Sequence, residues 1–418
     1  MRDRERTILG GILFLSCINF IYILWYFKFY SHLPPPFFVN ANDTFMDFYN
    51  TLYWSGSDGI YEIWGSVYPP LNFLFLKAYQ FLFINEISNI SDGFKIRDDE
   101  SSTIIPLLLI YILGLLISIR ISFKNLMCSV NQFFLFIIFL LSPIFLFALE
   151  RGNLLILCIP ILCLYIFSKK QILRALAFAF LVNLKPYFAI FYLFQIFNKN
   201  SHKDNMDYLF LSPIFSLILF LSTGLLLNQE FYLMPLNLFG FATASGLISS
   251  VEALSFPTSI TSFAYIRGLV TEFRIPPILG YLVKLLVYTY LIKVIFLIYK
   301  KKINFEDLAI LAVIFLTNYS TSTGGYGALL YLPVLALLYI QREWKILLII
   351  MISMYSGVWD LIPIYHYSID DVNSYLSGDV VKIQPYLSFG SIIRPIANFV
   401  VLVLFFKKLE KRYFHASI

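Results

Sequence analysis

The chain has 418 residues, of which 59% are hydrophobic, 19% aromatic and 13% charged, with a formal net charge of +6 and a mean hydropathy of +0.77. A soluble domain carries about a quarter charged residues, so a water-soluble globule is excluded. The surplus positive charge does not point to nucleic acid, because Lys and Arg fall in short clusters at the ends of apolar runs, where positive-inside topology puts them.

Apolar runs near the length needed to cross about 30 Å of hydrocarbon predict helices over 8–27, 103–120, 131–149 and 152–168. Two short helices, 171–184 and 187–198, meet at Lys185-Pro186, where proline breaks the path. The remaining predicted spans are 207–227, 278–299, 306–320, 326–341, 344–362 and 389–406. The expected fold is thus an all-α polytopic membrane bundle of about 12 transmembrane helices. A β-barrel would instead show alternating segments of about ten residues. The first run has no small-residue cleavage site after it and is expected to be retained.

Twelve crossings with both termini inside place the clusters at Arg2, Arg120, Lys169, Lys199, Lys300, Arg342 and Lys407 in the cytoplasm, and with them most of the 31 basic residues. Residues 70–86 do not fit as a span, since a crossing there would turn Asp92 to Glu100 inward and the clusters from Arg120 to Arg174 outward. That run is expected on the outer side as a juxtamembrane or re-entrant helix. The outer face then carries long loops at 28–102 and 228–277 and a third at 363–388. No repeat or linker divides the chain, so residues 1–418 read as one domain. Cys17, Cys128, Cys158 and Cys163 lie in or beside apolar segments and read as packing residues, since their spacing is neither that of a disulfide framework nor of a metal site.

The first outer loop carries Asn42-Asp43-Thr44-Phe45-Met46-Asp47-Phe48-Tyr49-Asn50 and then Tyr68-Pro69-Pro70. Carboxylates among apolar neighbours at a membrane surface are costly to desolvate, which suits one of them to take a proton from a hydroxyl nucleophile. Asp43 and Asp47 also fit solvated loop charges or helix caps. Glu150-Arg151-Gly152-Asn153 sits in a short outer turn, where Glu150 and Arg151 could pair with each other. Lys185-Pro186-Tyr187 places a lysine where it suits a lipid phosphate or snorkels to the headgroups. Asn318 to Gly327, rich in hydroxyls and glycine, fits sugar or phosphate contact or a plain turn. His32 and His366 are isolated, Asp360 and Asp370-Asp371 read as solvated charges, and the glycosylation acceptors at Asn42 and Asn89 are weak signals. There is no phosphate-binding glycine loop, zinc motif or serine-histidine-aspartate signature.

Taken in order, the early acidic-aromatic motif, the Tyr-Pro-Pro, the Glu-Arg-Gly-Asn turn and the Leu-Lys-Pro-Tyr break resemble the GT-C glycosyltransferases. The nearest branch is the polyprenol-phosphate-mannose-dependent mannosyltransferases of glycosyltransferase family 87, with a more distant likeness to the mannosyltransferase of GPI-anchor synthesis. The resemblance covers most of the chain through short motifs. It implies an inverting, metal-independent transfer of a hexose, with mannose expected, from a polyprenyl-phosphate donor to an acceptor hydroxyl of a glycolipid or glycan on the outer face. No cofactor and no nucleic-acid partner is expected, and the implied residence is a bacterial plasma membrane. By the same resemblance Asp47 matches the general base, with Asp43 as the alternative. Tyr49, Tyr68, Glu150, Arg151, Asn153, Lys185, Tyr187 and Tyr326 match substrate-contacting positions, Lys185 as the phosphate contact. Tyr326 stands where related enzymes often have histidine. Two other classes remain open on the residues: a transporter or flippase of lipid-linked sugars, using the broken helix at Lys185, and an O-antigen-type polymerase.

Overall fold

A computed structural model describes residues 2–34, 37, 41–84, 92–198, 206–244, 277–319, 325–366, 370–383 and 386–414. Among the described residues seventeen α-helices dominate. They are α1 Arg2–Tyr30, α2 Met46–Gly56, α3 Pro70–Phe83, α4 Gly93–Asp99, α5 Ile104–Phe123, α6 Ser129–Leu141, α7 Pro143–Arg151, α8 Leu155–Phe167, α9 Gln171–Leu184 and α10 Ala189–Phe197. There follow α11 Met206–Leu227, α12 Met234–Ala244, α13 Pro277–Lys300, α14 Phe305–Tyr319, α15 Tyr331–Ile340, α16 Trp344–Ile350 and α17 Gly390–Phe414.

Among the described residues four helices are long and apolar enough to cross a membrane: Glu5–Tyr30, Ser101–Phe123, Met206–Leu227 and Trp344–Leu361. The bent pair α6 and α7 makes a fifth if counted as one span. Twelve crossings are therefore not shown, because Leu155–Phe167, Gln171–Leu184, Pro186–Phe197 and Gly325–Ile340 are shorter than the about 20 residues that span hydrocarbon. The bundle nonetheless fits an integral membrane protein. On α11, Phe210, Leu217, Ile218, Leu225 and Leu226 all point outward, an apolar surface that water would not tolerate.

Three expectations need correction. The predicted span 131–149 is two helices bent by 54°, because Pro143 cannot continue α6. It starts α7 instead, with the Ser142 hydroxyl accepting the Phe145 N–H at 3.3 Å. The fold is not purely α. In the third loop β1 (Pro363–His366) pairs antiparallel with β4 (Tyr386–Ser388), and β2 (Asp370–Asn373) with β3 (Val380–Ile383). The β3 sequence Val-Val-Lys-Ile alternates exposed and buried, the period that suits a strand with one face covered. Finally, Cys158 and Cys163 are buried but Cys128 is exposed at the start of α6, so it is not a packing residue.

The core lies where α5 packs on α8, α8 on α9 and α9 on α11, with α14 and α15 against α17 and α5. Each of Ile310, Leu311, Ala312, Val313 and Ile314 is buried, as the continuous apolar run of an enclosed helix requires. Within this core Thr317, Tyr331 and Asn398 share hydrogen bonds, which satisfies polar groups far from water.

Contacts at the two ends of the bundle sort the loops. At one end the first loop meets both later ones. Asn237 Nδ2 donates to the carbonyls of Tyr61 (2.8 Å) and Ser66 (3.2 Å), and the Ser374 hydroxyl donates to the Ser31 carbonyl (2.7 Å). At the other end Asn198 bonds the Ile303 carbonyl (2.6 Å). There buried Asp307 accepts from Gln341, Arg412 and Tyr413 at 2.7–2.9 Å. Of the three loops predicted to share a face, the first thus touches each of the other two. Most of the second loop, 245–276, together with Lys199, Lys203, Asn89 and the centre of the hydroxyl-rich break, 320–324, lies outside the described residues.

Candidate active site

The short segment 41–47 is held against the Glu150–Asn153 turn by backbone and side chains together. The Phe45 N–H donates to the Glu150 carbonyl (2.6 Å), while Phe45 itself takes a left-handed conformation (φ 63°) with no side-chain cap on α2. Gly152 ends α7 in the left-handed region (φ 66°), its carbonyl accepting from the Tyr111 hydroxyl (3.0 Å). A Cβ at Gly152 would meet the Phe48 Cβ at 2.8 Å. Gly152→Ala is therefore expected to lower the stability of the solubilised protein by about 2 kcal/mol, the scale of left-handed strain plus overlap, read as a fall in its thermal midpoint.

This strapping delivers two carboxylates to one guanidinium. Arg151 Nε and Nη2 donate to Asp47 Oδ1 at 3.2 and 2.7 Å. Its Nη1 bonds Asp43 Oδ2 and the Asp43 carbonyl (3.3 Å). Asn153 Nδ2 donates to the other Asp47 oxygen, Oδ2, at 2.8 Å, and its Oδ1 accepts the Leu155 N–H (2.9 Å). Asp47, Asp43 and Arg151 are all half-buried, so the carboxylates are neither helix caps nor freely solvated. Glu150 does not pair with Arg151, since consecutive helical residues point apart. It is buried, with the Thr44 side chain against its carboxyl group.

An ionised carboxylate offers about four lone-pair sites and a guanidinium five N–H donors. Asp47 spends two sites of Oδ1 on Arg151 and one of Oδ2 on Asn153, which leaves one site on Oδ2 for an incoming hydroxyl. Arg151 spends four of its N–H groups and keeps one on Nη2.

The other two motifs also meet. Asn72, just inside α3, donates to the Leu184 carbonyl (2.8 Å) that precedes Lys185, and the Lys185 ammonium lies 4.3 Å from the centre of the Tyr68 ring. Lys185 is buried and has no ion pair among the described residues. The Tyr187 hydroxyl lies within electrostatic range of Tyr68, Tyr326 and the Cys158 thiol, and Cys158 within range of Lys185. The Tyr326 ring stacks on Phe147 of α7 (5.7 Å, 20°). Tyr111 links the two clusters, its hydroxyl feeling both Asp47 and Cys158. Nine of the predicted residues thus fall into two neighbouring groups.

Tyr49 does not join them. It is fully buried, its hydroxyl bonded to the Thr103 hydroxyl (2.7 Å), and burial pushes it up to about 12; it packs α2. Asn318 is likewise buried, donating to the Ile314 and Asn398 carbonyls. Asp360 is not a solvated charge but buried beside Arg394 (2.6 Å). His32 is buried and bonded to the Leu33 carbonyl (2.8 Å).

Sequence reading missed Arg97, which is buried in α4. It donates to the Thr44 carbonyl (3.0 Å) and Asn42 Oδ1 (3.1 Å) and lies 3.9 Å from the Tyr375 ring centre. It fixes the segment that carries Asp43. Its signal was an isolated arginine in an acidic stretch, indistinguishable from a solvated charge. Among the described residues no group of three or more His, Cys, Asp or Glu side chains could hold a metal ion. No family model matches the chain, and no curated protein or solved structure matches it.

Proposed function

We propose that the chain is a multi-pass membrane glycosyltransferase that moves a hexose, mannose in the first instance, from a polyprenyl-phosphate donor to a glycolipid or glycan hydroxyl. The loop-bearing face is the non-cytoplasmic one, both termini are cytoplasmic, and the membrane is a bacterial plasma membrane. The reading is carried by a carboxylate with one open lone-pair site, oriented by Arg151 and Asn153, in a fold that also buries Lys185 against Tyr68 with no ion pair among the described residues.

The chemistry needs only these groups. Asp47 Oδ2 accepts the proton of the acceptor hydroxyl. The hydroxyl oxygen attacks the anomeric carbon, and the bond from that carbon to the phosphate oxygen breaks with inversion. The electron pair leaves with the polyprenyl phosphate, whose growing charge the Lys185 ammonium and the unspent Arg151 N–H balance. A donor already embedded in the bilayer requires no nucleotide site, so positioning supplies much of the rate. Asp43 shares the Arg151 charge and is the alternative base.

Incubating the purified protein with radiolabelled polyprenyl-phosphate hexoses and membrane lipid extracts tests this. A new labelled glycoside is expected; label that only crosses the bilayer of a proteoliposome would assign transport instead. Lys185→Met is expected to lower kcat/KM for the donor about 100-fold, the scale of losing one electrostatic contact to a developing charge, with partial recovery in Lys185→Arg.

A further inference from the structure

Trp54 lies seven residues after Asp47 on α2. At 3.6 residues and 5.4 Å per turn, that places it on the same face, about 10 Å further along the axis. The Trp64 ring stacks on it at 5.9 Å and 23°, and Tyr53 abuts Trp64 edge-on at 5.7 Å and 78°. Trp64 is 41% exposed and yet firmly held. The Ile63 and Trp64 N–H groups both donate to the Gly59 carbonyl (2.8 and 3.1 Å). Gly59 is left-handed (φ 75°), and a Cβ there would meet Ile63 at 2.6 Å, so only glycine closes this turn. Asn237 clamps the loop on either side, at Tyr61 and Ser66, and the same loop ends at Tyr68 against Lys185.

We propose that Trp54 and Trp64 form a subsite on which a sugar ring of the acceptor stacks. This rests on the transfer reading above. An indole face is electron-rich and flat, which matches the C–H face of a pyranose, while the ring's hydroxyls extend outward to hydrogen-bond acceptors. Asp58 and Glu62, both exposed, supply those acceptors at the rim. No Lys, Arg or His occurs between Phe48 and Leu76, and Lys185, which meets this loop at Tyr68, is buried, so the exposed acidic side chains here repel an anionic lipid headgroup. The spacing of about 10 Å from Asp47 puts the stacked ring beyond the one that offers the attacking hydroxyl.

The test uses the full-length protein in vesicles and a radiolabelled mannose disaccharide as probe, with binding measured at equilibrium and no donor present. Wild type is expected to bind it. Trp64→Ala is expected to bind about tenfold more weakly, while Trp64→Tyr recovers most of the affinity, with thermal midpoints unchanged. Equal binding by Trp64→Ala, or no binding by wild type, overturns the subsite. So does quenching of Trp64 emission by brominated phospholipid chains, which would make the pair a membrane anchor. Binding that persists while no variant or wild type transfers sugar would sink the transfer reading and leave the subsite standing.

Discussion

Asp47→Asn is expected to lower the rate of hexose transfer by about 1,000-fold or more, within the range that general-base catalysis contributes, while expression and thermal midpoint stay near wild type. The amide keeps the shape of the carboxyl group and one oxygen to accept from Arg151, which still has Asp43 as a partner. It has no lone pair basic enough to take a proton from an alcohol. Asp43→Asn leaves the Asp47 contacts with Arg151 and Asn153 in place and is expected to lose far less. Initial rates with saturating donor separate the two. Full activity in the double variant would remove the first loop from the chemistry altogether.

The largest stability loss is expected at Asp360→Ala. Asp360 and Arg394 are 4% and 1% exposed, and Arg394 Nη1 reaches both carboxylate oxygens at 2.6–2.7 Å. The Ser388 hydroxyl adds a third bond to Asp360 at 2.8 Å, and Gly390 packs so close that a Cβ there would strike the carboxylate. Removing the aspartate takes away the carboxylate that faces a buried guanidinium, which costs about 3–5 kcal/mol. A thermal midpoint in detergent lower by several degrees, with the double change Asp360→Leu, Arg394→Met recovering much of it, is the measurement. Recovery distinguishes a lost charge partner from a simple loss of packing.

Much of the candidate site was legible because its residues sit in breaks of an otherwise apolar text. A charged turn such as Glu150-Arg151-Gly152-Asn153 between two hydrophobic helices has few reasons to be there, and Lys185-Pro186 announces its own discontinuity. Partnership was harder to read. Arg151 pairs with residues 104 and 108 positions away rather than with its neighbour Glu150, a choice set by helix geometry and not by adjacency. Arg97 and Arg394 each looked like one more charge near a loop, since burial is a property of the folded packing. Four or five of the twelve expected crossings are long enough among the described residues. Runs such as 152–168 and 171–184 are apolar enough to span, yet the helices they form are short. The strands of the third loop went unseen because three or four alternating residues beside Asp, Ser and Gly resemble any polar connection.

The 54° bend between α6 and α7 and the distance in sequence across the Arg151 clamp bear on how the molecule is made. A ribosome that has delivered the first span and its following loop has produced both aspartates but not their counter-ion. Arg151, in the last turn of α7, follows Asp47 by 104 residues. The lysine follows still later. Synthesis thus delivers Asp43 and Asp47 first, Arg151 after them and Lys185 last.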